Sequence, residues 1–332
     1  MNLSVVVPTL NGRDQLADGL DALSAHAPAA EVIVVNGPSA DGTTGMVRDR
    51  EDVDVLVEIS DRSVNVARNA GIEVATGEAV ALVDYDNRIG PDWIEGVEAG
   101  LEHADVVTGP VARPLRAGQT ADSAERRRIA GRNVTYFAGG NVVFRAGVLE
   151  DLDGFDEYLE TGGSRDAAHR LAGLDHEVRW ESDLSVERDP DASPAADGGR
   201  PDRDWGWKYR ALAYRLAKNY GFRPTVIRRV AAHALGDSTS VARDVVRGAA
   251  TPTGWVANGR DVLLGTATGF SDGMVARARD RTPTRNPYGL STRADRAVAK
   301  YDRRKDDETD EDGGDDETDG GSGDDGTASQ PP

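Results

Sequence analysis

Two aspartates separated by one residue, Asp84 and Asp86, follow directly on the apolar run Ala79–Val83. Residues two apart in a strand point to the same side, and in the turn that leaves a strand their carboxylates can converge on one point. Two carboxylates held that close repel each other unless a proton or a cation lies between them. The spacing therefore predicts a divalent metal site.

That site needs elements to hold it. Short apolar runs alternate with helical patterns over the first 110 residues. Strands are expected at Leu3–Val7, Val32–Val35, Val53–Ile59, Val80–Val83 and Val106–Thr108. Helices are expected at Asp14–His26, Thr43–Arg50, Ser63–Ala75 and Trp93–Glu102. Such alternation implies an α/β fold, a mostly parallel sheet with helices on both faces. Ligands of these sheets bind outside the carboxyl ends of the strands. The segments 8–12, 36–43 and 84–87 then share one rim. Residues 136–185 read as a glycine turn, a strand, two short helices and a final strand near Val178. The stretch 188–204 is a Pro/Gly/Asp-rich linker.

Charge divides the rest of the chain. The total is −19 over 332 residues, but residues 1–204 carry −20, residues 205–300 carry +11 and residues 301–332 carry −10. The division expected is 1–187 for the catalytic domain, 188–204 for the linker, 205–300 for a basic helical region and 301–332 for a disordered acidic tail. An acidic surface suits a cytosol of molar salt, in which self-repulsion is screened. There is no cysteine, which excludes disulfides, thiolate metal sites and thiol nucleophiles. Neither a signal peptide nor a transmembrane run of about 18 apolar residues is expected.

Four segments in order, "LSVVVPTLNGRDQL", "VIVVNGPSADGT", "VARNAGIEVATGEAVALVDYDN" and "GGNVVFRAGVLEDLDGFDEYL", resemble family 2 glycosyltransferases of the GT-A fold. The resemblance covers roughly residues 1–185, and with the acidic composition it is similar to a haloarchaeal member. It implies that Pro8, Thr9 and Asn11 border the base and ribose of a nucleoside-diphosphate sugar, UDP-linked by preference. Asn36 stands where the family usually has Asp, and Asp41 either ends that loop or caps the next helix. Arg68 and Asn69 would face the diphosphate or hold the loop. Asp84 and Asp86 match the DxD motif, Asp84 toward ribose and metal and Asp86 toward the cation. That cation would be Mn2+ or Mg2+, which prefer oxygen ligands and bridge the two phosphates. Gly139, Gly140 and Asn141 match the acceptor-side turn, and His169 or His176 could add a third metal ligand.

The chemistry so implied is electrostatic. The metal stabilises charge that grows on the departing nucleoside diphosphate, and a carboxylate removes the acceptor's proton. The family commonly carries a Glu-Asp pair before a helix ending in "RL", whereas this chain reads "ETGGSRDAAHRLAG". Asp166 is the nearest acid and the expected base, with Glu160 as runner-up.

Residues 205–300 lie outside the resemblance. The aromatics Trp205, Trp207, Tyr209, Tyr214, Tyr220 and Phe222, among Lys208, Arg210, Arg215 and Lys218, read either as an interfacial helix on an anionic membrane or as a packed helical subdomain. No nucleic-acid partner is expected. The reading is a metal-dependent transferase, hexosyl- or hexuronyl-transferring, that acts on a polyprenyl- or dolichyl-phosphate-linked or other glycan acceptor at the cytoplasmic membrane face. A sugar nucleotidyltransferase and an inactive transferase-like scaffold are the alternatives.

Overall fold

The computed structural model describes residues 1–112, 123–189, 204–246 and 252–304. The acidic tail from 305 and most of the 188–204 linker lie outside them. The first half follows the alternating pattern: β1 (Leu3–Thr9), α1 (Arg13–His26), β2 (Glu31–Asn36), α2 (Thr43–Arg48), β3 (Val55–Ile59), α3 (Val64–Ile72), β4 (Ala79–Val83), β5 (Asn87–Ile89), α4 (Trp93–Leu101) and β6 (Val106–Thr108). Then come β7 (Val111–Ala112), β8 (Arg126–Ile129), β9 (Arg132–Thr135), β10 (Asn141–Arg145), α5 (Ala146–Asp151), α6 (Gly163–Leu171), β11 (Val178–Trp180) and β12 (Val186–Arg188). The chain ends its described part with α7 (Trp205–Tyr220), α8 (Pro224–Val246), α9 (Pro252–Arg279) and β13 (Ala297–Asp302).

The main sheet has the order β11-β6-β10-β4-β1-β2-β3-β13. β1, β2, β3 and β4 are mutually parallel, while β10 enters antiparallel between β4 and β6. Every residue of β1 and β4 is buried, which is what a strand covered by helices on both faces requires. Alternate residues serve opposite layers: Val6, Ile33 and Val35 share a core with α3, Val5, Val7 and Val34 one with α1 and α4.

The boundary expected between residues 187 and 205 does not separate two folding units. α7 buries Tyr209, Leu212 and Leu216 in the same core as β10 and α6. After α9 the chain returns, and β13 pairs antiparallel with β3. An excess of positive charge in the sequence marked a region that is nonetheless integral to the fold.

α7 is also not an interfacial helix. Tyr209, Tyr214 and Tyr220 are buried, and Phe222 alone of the six aromatics is exposed. The reason is a glycine seam on α9. A Cβ at Gly265, Gly269 or Gly273 would overlap the backbone of Gly206, Arg210 or Tyr214, each one turn further along α7. Bare positions four apart let two helices meet backbone to backbone. Among the described residues no helix is long and apolar enough to cross a membrane.

Candidate active site

β4 stops at Val83, with Asn141 of β10 opposite. The Asp84 N–H donates to the Gly140 carbonyl at 3.2 Å, and the Asn87 N–H closes the turn onto the Asp84 carbonyl at 2.9 Å. A Cβ on Gly140 would overlap the Asp84 carboxylate, and one on Gly139 would overlap Ser164 Oγ and crowd the Arg68 guanidinium. Of these two glycines, expected on the acceptor side, Gly140 allows the main chain to lie directly against the aspartate and Gly139 leaves room for Ser164 and Arg68. Asn141 is likewise no acceptor contact. It is fully buried, accepts from Trp93 Nε1 at 3.1 Å and donates to the carbonyls of Leu184 and Pro110 at 2.8 and 3.2 Å.

The two carboxylates do converge. Arg188 Nη2 lies 2.9 Å from Asp84 Oδ2, and Arg188 Nε lies 3.2 Å from Asp86 Oδ2. The other Asp84 oxygen meets Arg68 Nη2 at 3.2 Å. One guanidinium thus spans the pair in the way the spacing predicts for a cation. Oxygen donors that converge on a single positive group fit Mn2+ or Mg2+. Among the described residues no cluster of three His, Cys, Asp or Glu forms. Neither histidine assists: His169 sits between the hydroxyls of Tyr136 and Tyr220, and His176 between Asp105 and Asp151. Asp84 and Asp86 would be the protein ligands, and water and phosphate oxygens the rest.

Beside the carboxylates a cleft opens at the carboxyl ends of β1 and β3, lined by Pro8, Thr9, Gly37, Asp61, Arg62 and Tyr85. Thr9 Oγ1 and Ser63 Oγ are buried there with no hydrogen-bond partner. Asn11, at φ 54°, turns outward and ties two loops, accepting from the Ala40 N–H at 2.8 Å. Asn36 is buried and committed: its Nδ2 donates to Thr44 Oγ1 at 2.8 Å and its Oδ1 accepts from Ser39 Oγ at 2.7 Å. It shapes the loop. Asp41, one residue before the Gly42 N-cap, accepts from the Thr43 N–H and hydroxyl and so steadies the start of α2.

The base assignment changes. Asp166, in the first turn of α6, is fully buried and accepts from Arg170 Nε at 2.8 Å, Lys218 Nζ at 2.8 Å and Asn219 Nδ2 at 2.9 Å. Burial by itself pushes its carboxyl up, but Lys218 and Arg170 more than offset that and hold it below the usual carboxylate range. A carboxylate so enclosed has neither access to an acceptor nor basicity to spare. Lys218 also grips Asp156, which accepts from the Tyr214 hydroxyl at 2.8 Å, so the cluster clamps α7 to α6. Glu160 stays exposed on the turn that leads into α6.

Residues 4–153 match the family model described as "Glycosyl transferase family 2". That match covers less than half of the chain, and over those residues the chain is similar to the family. Curated relatives of the family 2 domain include the glycosyltransferase AglE of Haloferax volcanii, 27% identical over 201 residues, a match that covers 55% of this chain and 65% of AglE. Another is the succinoglycan biosynthesis protein ExoO of Rhizobium meliloti, 30% identical, covering 44% of each chain. The chain spans less than two thirds of these relatives. Among solved structures, residues 1–349 of S. aureus TarS with UDP-GlcNAc superpose with TM-score 0.57 at 17% identity, covering 85% of this chain and 92% of that one. The mannosyltransferase PcManGT from Pyrobaculum calidifontis, with GDP-Man and Mn2+, gives TM-score 0.50 at 18% identity, covering 85% and 88%. Both confirm the GT-A fold.

The family 2 match ends before several residues that complete the site. Arg188 reaches the carboxylates because β12 pairs with β5, which sets Arg188 opposite Asn87. Arg165 stacks over the Tyr136 ring, 4.6 Å from its centroid, near Arg215 and Arg229. Among the described residues Arg132, Arg215 and Arg229 have no carboxylate within salt-bridge distance, and Arg215 Nε is buried without a partner. Burial pulls the Arg215 guanidinium down to about 10, and Arg165 and Arg229 beside it act the same way. The sequence signal for all of these was only their charge.

Proposed function

We propose that the chain transfers a sugar from a nucleoside-diphosphate sugar, UDP-linked by preference, to a polyprenyl- or dolichyl-phosphate-linked glycan. The observation that carries this reading is the convergence of Asp84 and Asp86 on one cation, on either side of the Tyr85 that lines a cleft on the carboxyl rim of a GT-A sheet. Nucleotide sugars bound by the solved neighbours, UDP-GlcNAc and GDP-Man, support the donor class. Pro8, Thr9 and Asp61 border the base and ribose, and Arg68 turns its guanidinium toward the diphosphate. When bound, the metal would stabilise the charge left on the departing diphosphate. Arg68, 4% exposed and packed 5.4 Å over the Phe155 ring, supplies a fixed second positive charge.

With Asp166 in the interior, Glu160 is the carboxylate proposed to take the acceptor proton. The acceptor enters by the turn 160–164, where Arg215 and Arg229, without a carboxylate among the described residues, offer charge to its phosphates and Arg165, paired with Glu125, stands beside them. Exposed Phe222, Ile227, Leu263 and Leu264 beside Arg223, Arg228 and Arg260 replace the α7 aromatics as the surface that meets an anionic membrane at its cytoplasmic face. The net charge of −19 and the Haloferax relative support a halophilic setting.

The test is release of nucleoside diphosphate from UDP-, GDP- and dTDP-sugars in molar KCl with Mn2+ or Mg2+, with and without a polyprenyl-phosphate-linked glycan. Metal-dependent release from one donor, raised by the glycan, is expected. Binding of donor with no release under any acceptor would instead make the chain a scaffold.

A further inference from the structure

We propose that Arg188 is a donor-site residue that closes the Asp84–Asp86 pair at rest and yields only when a divalent ion and a nucleoside diphosphate arrive together. The inference rests on the donor-site reading above. It makes metal and diphosphate bind as a couple, with Arg188 setting the strength of the coupling.

The argument is one of charge. Two carboxylates are matched by two guanidiniums, Arg68 and Arg188, and Asp84, Asp86 and Arg68 are 7%, 4% and 4% exposed. A divalent ion that enters alone must displace a two-point guanidinium contact, and it brings an excess of positive charge to two carboxylates that the guanidiniums already match. In a site so desolvated that excess is strongly unfavourable. The diphosphate brings the missing negative charge, and the planar guanidinium fork that the metal displaces is the group best shaped to receive phosphate oxygens.

Geometry says which part moves. The Arg188 main chain is pinned, since Arg188 pairs with Asn87 across β12 and β5 and the Asp189 N–H donates to the Asp86 carbonyl at 2.9 Å. Its side chain is 17% exposed, against 5% for that of Arg68, so it has a way out toward solvent while Arg68 is boxed in against Phe155. Arg188 Nε also lies 3.2 Å from Asn87 Oδ1.

Mn2+ titration of the full chain, followed by electron paramagnetic resonance with and without saturating UDP or GDP, tests this. In the wild type, Mn2+ affinity should rise by about 30-fold or more when the diphosphate is present. Arg188→Gln should bind Mn2+ alone about tenfold more tightly, bind the diphosphate more weakly, and show a coupling about tenfold smaller. Arg188→Lys, which keeps the charge but not the fork, should fall between and serves where the Gln variant does not fold. Equal Mn2+ affinity in wild type and a folded variant overturns the role of Arg188. Equal Mn2+ affinity with and without diphosphate in the wild type overturns the coupling itself. If neither diphosphate binds at any Mn2+ level, the donor-site reading falls and takes this one with it; if one binds but Arg188 is indifferent, only this inference falls.

Discussion

Two pairs of aspartates in this molecule are each bridged by one basic side chain, and they behave differently. Asp84 and Asp86 share Arg188 at the rim of a cleft; Asp156 and Asp166 share Lys218 in the interior, where all three side chains are fully buried. The interior pair is also saturated by Arg170, Asn219 and the Tyr214 hydroxyl. Its cation has no exit, so it works as a clamp. The rim pair holds its cation by two contacts of 2.9 and 3.2 Å, in reach of solvent, and that cation can be exchanged. Identical chemistry in the sequence thus yields a structural group or a functional one according to the rest of its surroundings.

Breaking each pair separates the two roles. Asp86→Ala should lower kcat/KM by about 1,000-fold, equivalent to about 4 kcal/mol in the transition state, with the melting temperature nearly unchanged. Steady-state assay alongside a thermal melt checks it, and a large loss of stability would put the rim pair in the structural class. Lys218→Met should do the opposite. It takes the shared cation from two buried carboxylates and leaves Asp156 with none, a loss of about 3–5 kcal/mol in urea unfolding, while any folded fraction keeps its Mn2+ affinity.

Smaller effects sharpen the same contrast. Gly269→Ala drives a methyl into the Arg210 backbone and should destabilise by about 1–3 kcal/mol, with α7 and the clamp loosening together; hydrogen exchange at α7 would show it. Last is pH. Burial, with Arg215 next, pulls the His169 imidazole down to about 3 from its ordinary 6.5. The unfolded chain therefore takes up a proton that the native one refuses, and stability falls as pH drops from about 6.5 toward 3. His169→Gln should flatten that part of the stability profile, read by urea midpoints at pH 7 and 4.5, without changing donor affinity.

What was legible in the sequence was local. The two-residue spacing of Asp84 and Asp86, the apolar run before them and the strand–helix alternation all express themselves within a few residues, and the GT-A sheet followed. The base was misread because the fate of Asp166 depends on Lys218, 52 residues on, and no spacing rule sees across that distance. Arg188 escaped for the same reason, lying 104 positions from Asp84. Glycines 265, 269 and 273 were visible as a four-residue repeat, yet only a partner helix gives that repeat meaning. The aromatics of α7 were read by amphipathicity, which cannot tell a membrane from a protein core.

The last strand carries a further consequence. β3 would otherwise be the rim of the sheet, a row of open amides and carbonyls framed by Val55, Val57 and Ile59, and such a row invites other chains to add to it. β13 covers it with a strand bearing Lys300 and Asp302, continued by Arg303 and Arg304, whose guanidiniums fasten on the Arg48 carbonyl and Glu31. A chain cut short before residue 297 would keep every group of the donor site and lose this guard, so its failing would be self-association in solution rather than chemistry.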